Sequence, residues 1–217
     1  MQRFQTVFTK PRSIVGMIHL LPLLGTPSQQ HSPAQILDIA LQEADTYLRA
    51  GLDALMIENM HDLPYLNRHV GPEIVAQMSI IAHELRKLSR VPIGIQILAG
   101  ANQQALAVAV AAGLDFIRAE GFVFSHIADE GQMDACAGEL LRYRRQMEAQ
   151  HILVLTDIKK KHSAHAITQD VNIVETAEAA AFFHSDGLIL TGSATGKAAS
   201  LQEIEAVKAA VKLPVLV

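Results

Sequence analysis

The sequence predicts an α/β chain of the TIM (β/α)8-barrel type, incomplete as it stands, with seven strands and six helices. Three observations carry this. Apolar β-like runs alternate with amphipathic helix-like runs, a pattern that builds βαβ units on a parallel sheet. Nearly every apolar run ends in polar or charged residues, and in a (β/α)8 barrel such ends meet on one face, which carries the active site. The segment after the first run, HLLPLLGTP, has prolines and no G-x-G-x-x-G, which argues against a doubly wound open sheet.

The strands are expected in SIVGMIHL from Ser13, DALMIEN from Asp53, VPIGIQIL from Val91, DFIRAEGF from Asp115, HILVLTDI from His151, DGLILTG from Asp186 and PVLV from Pro214. Helix one starts at Ser32-Pro33, with Ser32 as N-cap and Pro33 at the first helical position, and ends at Gly51. Helix two opens at Gly71-Pro72 and aligns Ile74, Val75, Met78, Ile81 and Leu85 on one face. Helix three is the small, apolar NQQALAVAVAAG, stopped by Gly113. Helices four to six are expected near Asp134–Gln150, Val171–His184 and Leu201–Lys212.

Residues 1–217 read as one partial barrel domain, large enough for a sizeable core, with no linker or low-complexity tract. The chain stops inside the seventh run, before the loops after strands seven and eight that hold phosphate in many such barrels. The expectation is a truncated isoform or incomplete reading frame, or a gap closed by another subunit. An unpaired seventh strand and first-strand edge would make this length aggregation-prone and inactive.

Half of the residues are hydrophobic, yet no apolar stretch reaches the length of a membrane span. A net charge of -4 gives no reason to expect nucleic acid. The one cysteine, Cys136, excludes an internal disulfide and reads as a small helix-face residue. Arg3, Lys10 and Arg12 without an acid faintly resemble a transit peptide, but the segment runs straight into the first strand. A soluble, cytoplasmic protein is expected, with a mitochondrial location left open and a homo-oligomer compatible with everything above.

Side chains alternate along a strand, so Phe116, Arg118 and Glu120 share one face, as do Leu155, Asp157 and Lys159. Lys161 continues that parity if the strand extends. Glu58 shares a face with Met56, and Asn59 takes the other. Strand ends can thus aim His19, Glu58, Gln96, Arg118, Glu120 and Asp157 at one centre. Carboxylates held near cations can be tuned as base or acid, and a lysine at a strand end can attack a carbonyl or hold a phosphate. The plainer alternative is a polar barrel layer of ion pairs such as Arg118–Glu120 and Asp157–Lys. No cofactor is required. His162 with His165, and His61-Asp62, leave room for a divalent metal, although the spacing defines no metal site. GSATGK, Gly192 to Lys197, lacks P-loop spacing and reads as an ordinary turn before a helix.

VGMIHLLPLLG, IENMHDLPY, FIRAEGFVFSHIADEGQMDACAGELLRYR, TDIKKKHSAH and GLILTGSATG, in this order, resemble the BtpA/SgcQ family. Its members read close to GMIHLxPLPG, VENFGDxPF, FIRV, a D-x-x-x-KH segment and a TG-x-x-TG turn. The resemblance implies a TIM barrel of the ribulose-phosphate-binding type. By position it implies His19, Glu58, Asn59, Asp62, Arg118, Asp157, Lys161 and His162, with Thr191, Gly192, Thr195 and Gly196, as site residues. We assign His19, Glu58, Arg118, Asp157, Lys161 and His162 to the catalytic set. Asn59, Asp62, Gln96, Glu120, Thr191, Gly192, Thr195 and Gly196 are assigned to substrate binding. Met60-His61 stands where Phe-Gly is usual, Leu23-Leu24 where Leu-Pro is, and IQILAGAN replaces an asparagine-rich segment. Two functions follow. One is an enzyme acting on a phosphorylated sugar or nucleotide-like small molecule by acid–base or aldol-type chemistry. The other is a non-catalytic assembly or stability factor using the barrel as a scaffold, in the photosystem-I role of photosynthetic relatives.

Overall fold

In the computed structural model, residues 2–192, 194 and 196–217 are described. The elements in chain order are α1 (Gln2–Val7), β1 (Val15–His19), α2 (Pro33–Arg49), β2 (Ala54–Glu58), α3 (Pro72–Leu88), β3 (Ile93–Gln96), α4 (Asn102–Ala112), β4 (Phe116–Ala119), β5 (His126–Ala128), β6 (Gly131–Met133), α5 (Ala137–Gln146), β7 (Leu153–Asp157), β8 (Ser163–Ala164), α6 (Ile173–Phe182), β9 (Gly187–Ile189), α7 (Leu201–Ala210) and β10 (Val215–Leu216). Seven strands form one curled parallel sheet in the order β1-β2-β3-β4-β7-β9-β10, an incomplete barrel with β1 and β10 at its edges. All seven expected apolar runs supply its strands.

The helices begin and end where local chemistry says they must. Ser32 Oγ caps α2 by accepting from the Gln35 backbone N–H while Gln35 Oε1 accepts from the Ser32 backbone N–H, with Pro33 in the first turn. Asn172 and Glu175 form the same reciprocal cap on α6, and Gly113 ends α4 in the left-handed conformation at φ +69°. The strands alternate between two apolar environments. Ile18, Leu55, Ile57, Ile93, Ile95, Ile117, Val154 and Leu188 pack outward beneath the helices. Ala54, Met56, Phe116, Leu153 and Leu155 face the barrel interior, against Val15, Met17, Ile189 and Leu216. Gly94 also faces inward: a Cβ there would stand 2.1 Å from the Phe116 ring, which occupies the space Gly94 leaves.

Two features depart from the sequence reading. There are seven helices among the described residues, because the first residues form α1. Phe4 and Phe8 stack at 4.6 Å, and Phe8 meets Phe116 at 5.3 Å, so α1 plugs the N-terminal end of the barrel. Two of the three transit-like charges are used structurally: Arg3 pairs with Asp186 and Lys10 with Asp53. The second is a three-stranded antiparallel sheet, β6-β5-β8, which forms a flap from segments following β4 and β7. Its strands of two and three residues are too short to show a period.

Candidate active site

Three buried or half-buried charge pairs crown the interior apolar layer at the C-terminal ends of the strands. Register places His19 beside Glu58, Glu58 beside Gln96, and Arg118 beside Leu155, one step below Asp157. His19 Nε2 lies 3.4 Å from Glu58 Oε2; the imidazole is 40% exposed and the carboxylate 10%. Arg118 reaches diagonally to Asp157 through two hydrogen bonds of 2.9 Å, Nε to Oδ2 and Nη2 to Oδ1. Lys160 Nζ donates to Glu120 Oε1 at 3.2 Å.

The pairs influence one another. Glu58 raises the His19 pKa chiefly through their hydrogen bond, against the opposing effects of burial and of Lys161. Burial works against the charge on Arg118, but Asp157 outweighs it, helped by Glu58 and Glu120, so the guanidinium is held more firmly protonated than usual. Burial pushes Glu120 up, while Lys160 and Arg118 pull against it. Tyr65, on the loop after β2, is pushed up to about 12 by burial and by the field of Glu58, Glu120, Glu130 and Asp62. Gln96 is buried with neither side-chain polar atom hydrogen-bonded, and Glu120 Oε2 is equally unpartnered, among the described residues. Unpaired buried polar atoms are costly and rare.

His19, Glu58, Gln96, Arg118, Glu120 and Asp157 therefore come together as strand parity requires. The ion pairs are Arg118–Asp157 and Lys160–Glu120, however, and not Arg118–Glu120. β7 ends at Asp157, so parity does not carry on to Lys161. Lys160, absent from the expected set, is the lysine that reaches the buried carboxylate. Chain reversal, with Lys159 at φ +46° and His162 at φ +54°, resets the side-chain directions beyond the strand. Lys161 stays near enough to act on His19, and its backbone N–H donates to Thr191 Oγ1 at 3.3 Å. His162 is exposed on that turn.

Asn59 and Asp62 hydrogen-bond to one another and to neighbouring loops. Asn59 Nδ2 donates to Asp62 Oδ2 at 2.9 Å, Asn59 Oδ1 accepts from the Leu98 N–H at 2.7 Å, and Asp62 Oδ1 accepts from the Leu23 N–H at 2.8 Å. They tie the loops after β1, β2 and β3 together. Gly192 lies against the backbone of the following turn, where a Cβ would stand 2.1 Å from the Lys197 carbonyl oxygen. Gly196 is exposed at φ +78°, and Thr195 lies outside the described residues. No group of three or more His, Cys, Asp or Glu among the described residues is placed to hold a metal ion.

A curled parallel sheet with polar strand ends gathered on one face defines a barrel of the TIM type. Solved structures agree on the fold. N-acetylmannosamine-6-phosphate 2-epimerase from Clostridium perfringens superposes with a TM-score of 0.54 at 12% identity, over 94% of this chain and 74% of that one. A 2,3-dimethylmalate lyase gives 0.55 at 13% identity, over 99% and 78%. The chain belongs to the BtpA family, whose model matches residues 10–217. An uncharacterised protein of Caenorhabditis elegans, described as mitochondrial, is 51% identical over 94% of this chain and 76% of its own length. The photosystem I biogenesis protein BtpA of Synechocystis is 33% identical over 100% of this chain and 75% of its own. No helix among the described residues is long and apolar enough to cross a membrane.

Proposed function

We propose that this chain is the catalytic barrel of a metabolic enzyme that carries out acid–base chemistry on a small hydroxylated, phosphorylated metabolite, of sugar or nucleotide-like type. The observation that carries this reading is His19: a half-exposed imidazole at the open end of the barrel, held by a carboxylate that is nearly buried. A buried acceptor on one ring nitrogen orients the imidazole and favours its protonated form, leaving the ring able to deliver or take a proton at a ligand. Further along the same row of strand ends, Arg118, Asp157, Glu120 and Lys160 supply fixed charges that need no reorganisation when charge develops on a substrate. Lys161 and His162 stand at the rim, where a substrate anion would first meet the protein.

The test is a turnover screen of phosphorylated sugars and nucleotides, followed by His19→Asn and Glu58→Gln on whichever substrate responds. Loss of a general acid–base group lowers kcat by roughly 10²–10⁴-fold. Unchanged turnover in His19→Asn rejects the reading. A scaffold role is supported by the name of the Synechocystis relative and predicts the opposite: binding to a protein partner unaffected by either substitution. The description of the Caenorhabditis elegans relative supports a mitochondrial location, and fractionation of the native protein checks it.

A further inference from the structure

We propose that the cleft between the three-stranded flap and the end of β7 is a binding subsite for a phosphoryl group, held by Lys159 and His126. The cleft is narrow and opens to solvent, and Asp157, Lys159, Lys160, His126, His165 and Thr176 are among its walls. It adjoins the candidate active site through Asp157 and Lys160 but is roofed by residues that no strand-end pattern reveals. The inference rests on the reading that the C-terminal face of the barrel takes a small-molecule ligand.

The charges around the cleft are unequally satisfied. Asp157 is gripped at both oxygens by Arg118, and Glu120 Oε1 accepts from Lys160. Asp134, at the edge of the flap, accepts from Ser125 and Gln132. Arg68, reaching in from the loop after β2, donates to the carbonyls of Gly121 and Asp134. Lys159 has no acidic partner among the described residues: its ammonium donates only to the Thr168 carbonyl, at 3.0 Å. Of its three N–H donors, two remain for a ligand.

His126 is 5% exposed, lines the cleft, and its Nε2 has no hydrogen-bond partner. Pairing of β5 with β8 sets it beside His165, with ring centroids 5.4 Å apart, while His165 Nε2 is engaged by the Lys160 carbonyl at 3.1 Å. Burial, then Lys160, His165 and Arg68, push the His126 pKa down to about 4. Burial is the main cause, and the nearby Lys160 and Arg68 add positive charge. A neutral ring can still offer one N–H to an anion. Lys159 and His126 both line the cleft with donor capacity to spare, while the carboxylate among its lining residues, Asp157, is already held by Arg118. Gly192, by contrast, is closed against its own turn.

Inorganic phosphate titrated into the full chain, followed through the His126 ring signals by NMR, tests the proposal. Saturable movement of those signals, with the His126 titration midpoint rising when phosphate is bound, is expected. Lys159→Met should weaken phosphate roughly tenfold, the loss of one hydrogen bond to a charged group. Lys87→Met, a surface lysine paired with Glu84, should leave phosphate binding unchanged. The unmodified chain is decisive by itself. His126 signals that stay still up to saturating phosphate, or that respond to acetate but not to phosphate, overturn the assignment. Phosphate bound at His126 without turnover of any substrate would leave the cleft standing and reject the acid–base reading. Turnover lost in His19→Asn, with phosphate indifferent to Lys159, would do the reverse.

Discussion

Arg118 holds Asp157 with both of its carboxylate oxygens, each at 2.9 Å, across two adjacent parallel strands in the floor of the site. The pair is almost wholly withdrawn from water, with side-chain exposures of 16% and 1%. Removing one member strands the other. Asp157→Ala should cost about 3–5 kcal/mol of folding stability, since breaking a buried pair leaves an uncompensated charge. Urea unfolding would read this. Replacing both residues with leucine should cost less than Asp157→Ala alone, because two apolar groups leave nothing unpaired.

His19 and Glu58 predict a pH dependence. The folded pKa of His19 is raised above its ordinary 6.5 by the Glu58 hydrogen bond. The stability this contributes is fully present below the unfolded pKa and is lost as pH rises through the higher folded value. The parent chain should therefore lose stability relative to Glu58→Gln as pH rises above 6.5, and the gap should be widest on the acid side. Because His19 is half-exposed, the effect is small. The His19 ring titration, followed by NMR, should fall toward 6.5 in Glu58→Gln. An unchanged midpoint would remove Glu58 as the cause.

Asp62 is a scaffold residue on this geometry. Asp62→Ala frees the Leu23 N–H and the Asn59 amide inside the protein, at about 1–3 kcal/mol for an unsatisfied buried donor. Stability should fall while ligand affinity per folded molecule stays constant. A selective loss of affinity with an unchanged melt would return Asp62 to the binding set.

Gly94→Ala should be among the most damaging small substitutions in the sheet. The added methyl meets the Phe116 ring at 2.1 Å, and neighbouring ring atoms at 2.4 Å. Overpacking of this kind costs about 1–3 kcal/mol. Gly94→Ala combined with Phe116→Leu should recover part of the loss, a test of the contact itself by double-mutant melts.

Phe8 should matter as much as a strand residue. It is buried, and it seals the barrel floor by stacking on Phe4 and packing at a tilt against Phe116. Phe8→Ala should cost about 3 kcal/mol or more. It should also expose the 2–12 segment to proteolysis. Resistance equal to the parent would mean that α1 does not hold the floor closed.

The repeated strand–helix rhythm, the Ser32-Pro33 cap and the alternation of Met56–Glu58 and Phe116–Arg118 are local properties, and each determined its own element and facing. Periodicity of two along a strand is set by backbone geometry alone, so the sequence suffices to gather His19, Glu58, Gln96, Arg118 and Asp157 on one face. What tertiary structure decided is which partner each charge takes. Arg118 meets Asp157 and not Glu120 because adjacent strands are staggered, and that stagger belongs to the curled sheet. Lys160 displaces Lys161 at the buried carboxylate because the chain reverses after β7, where strand parity no longer applies. Asn59 and Asp62 bond to Leu98 and Leu23 on separate loops, partners that only the folded chain brings within reach. His126 was silent in the sequence because the flap that buries it joins strands of two and three residues from distant segments. Such pairing is written in long-range contact, not in local pattern.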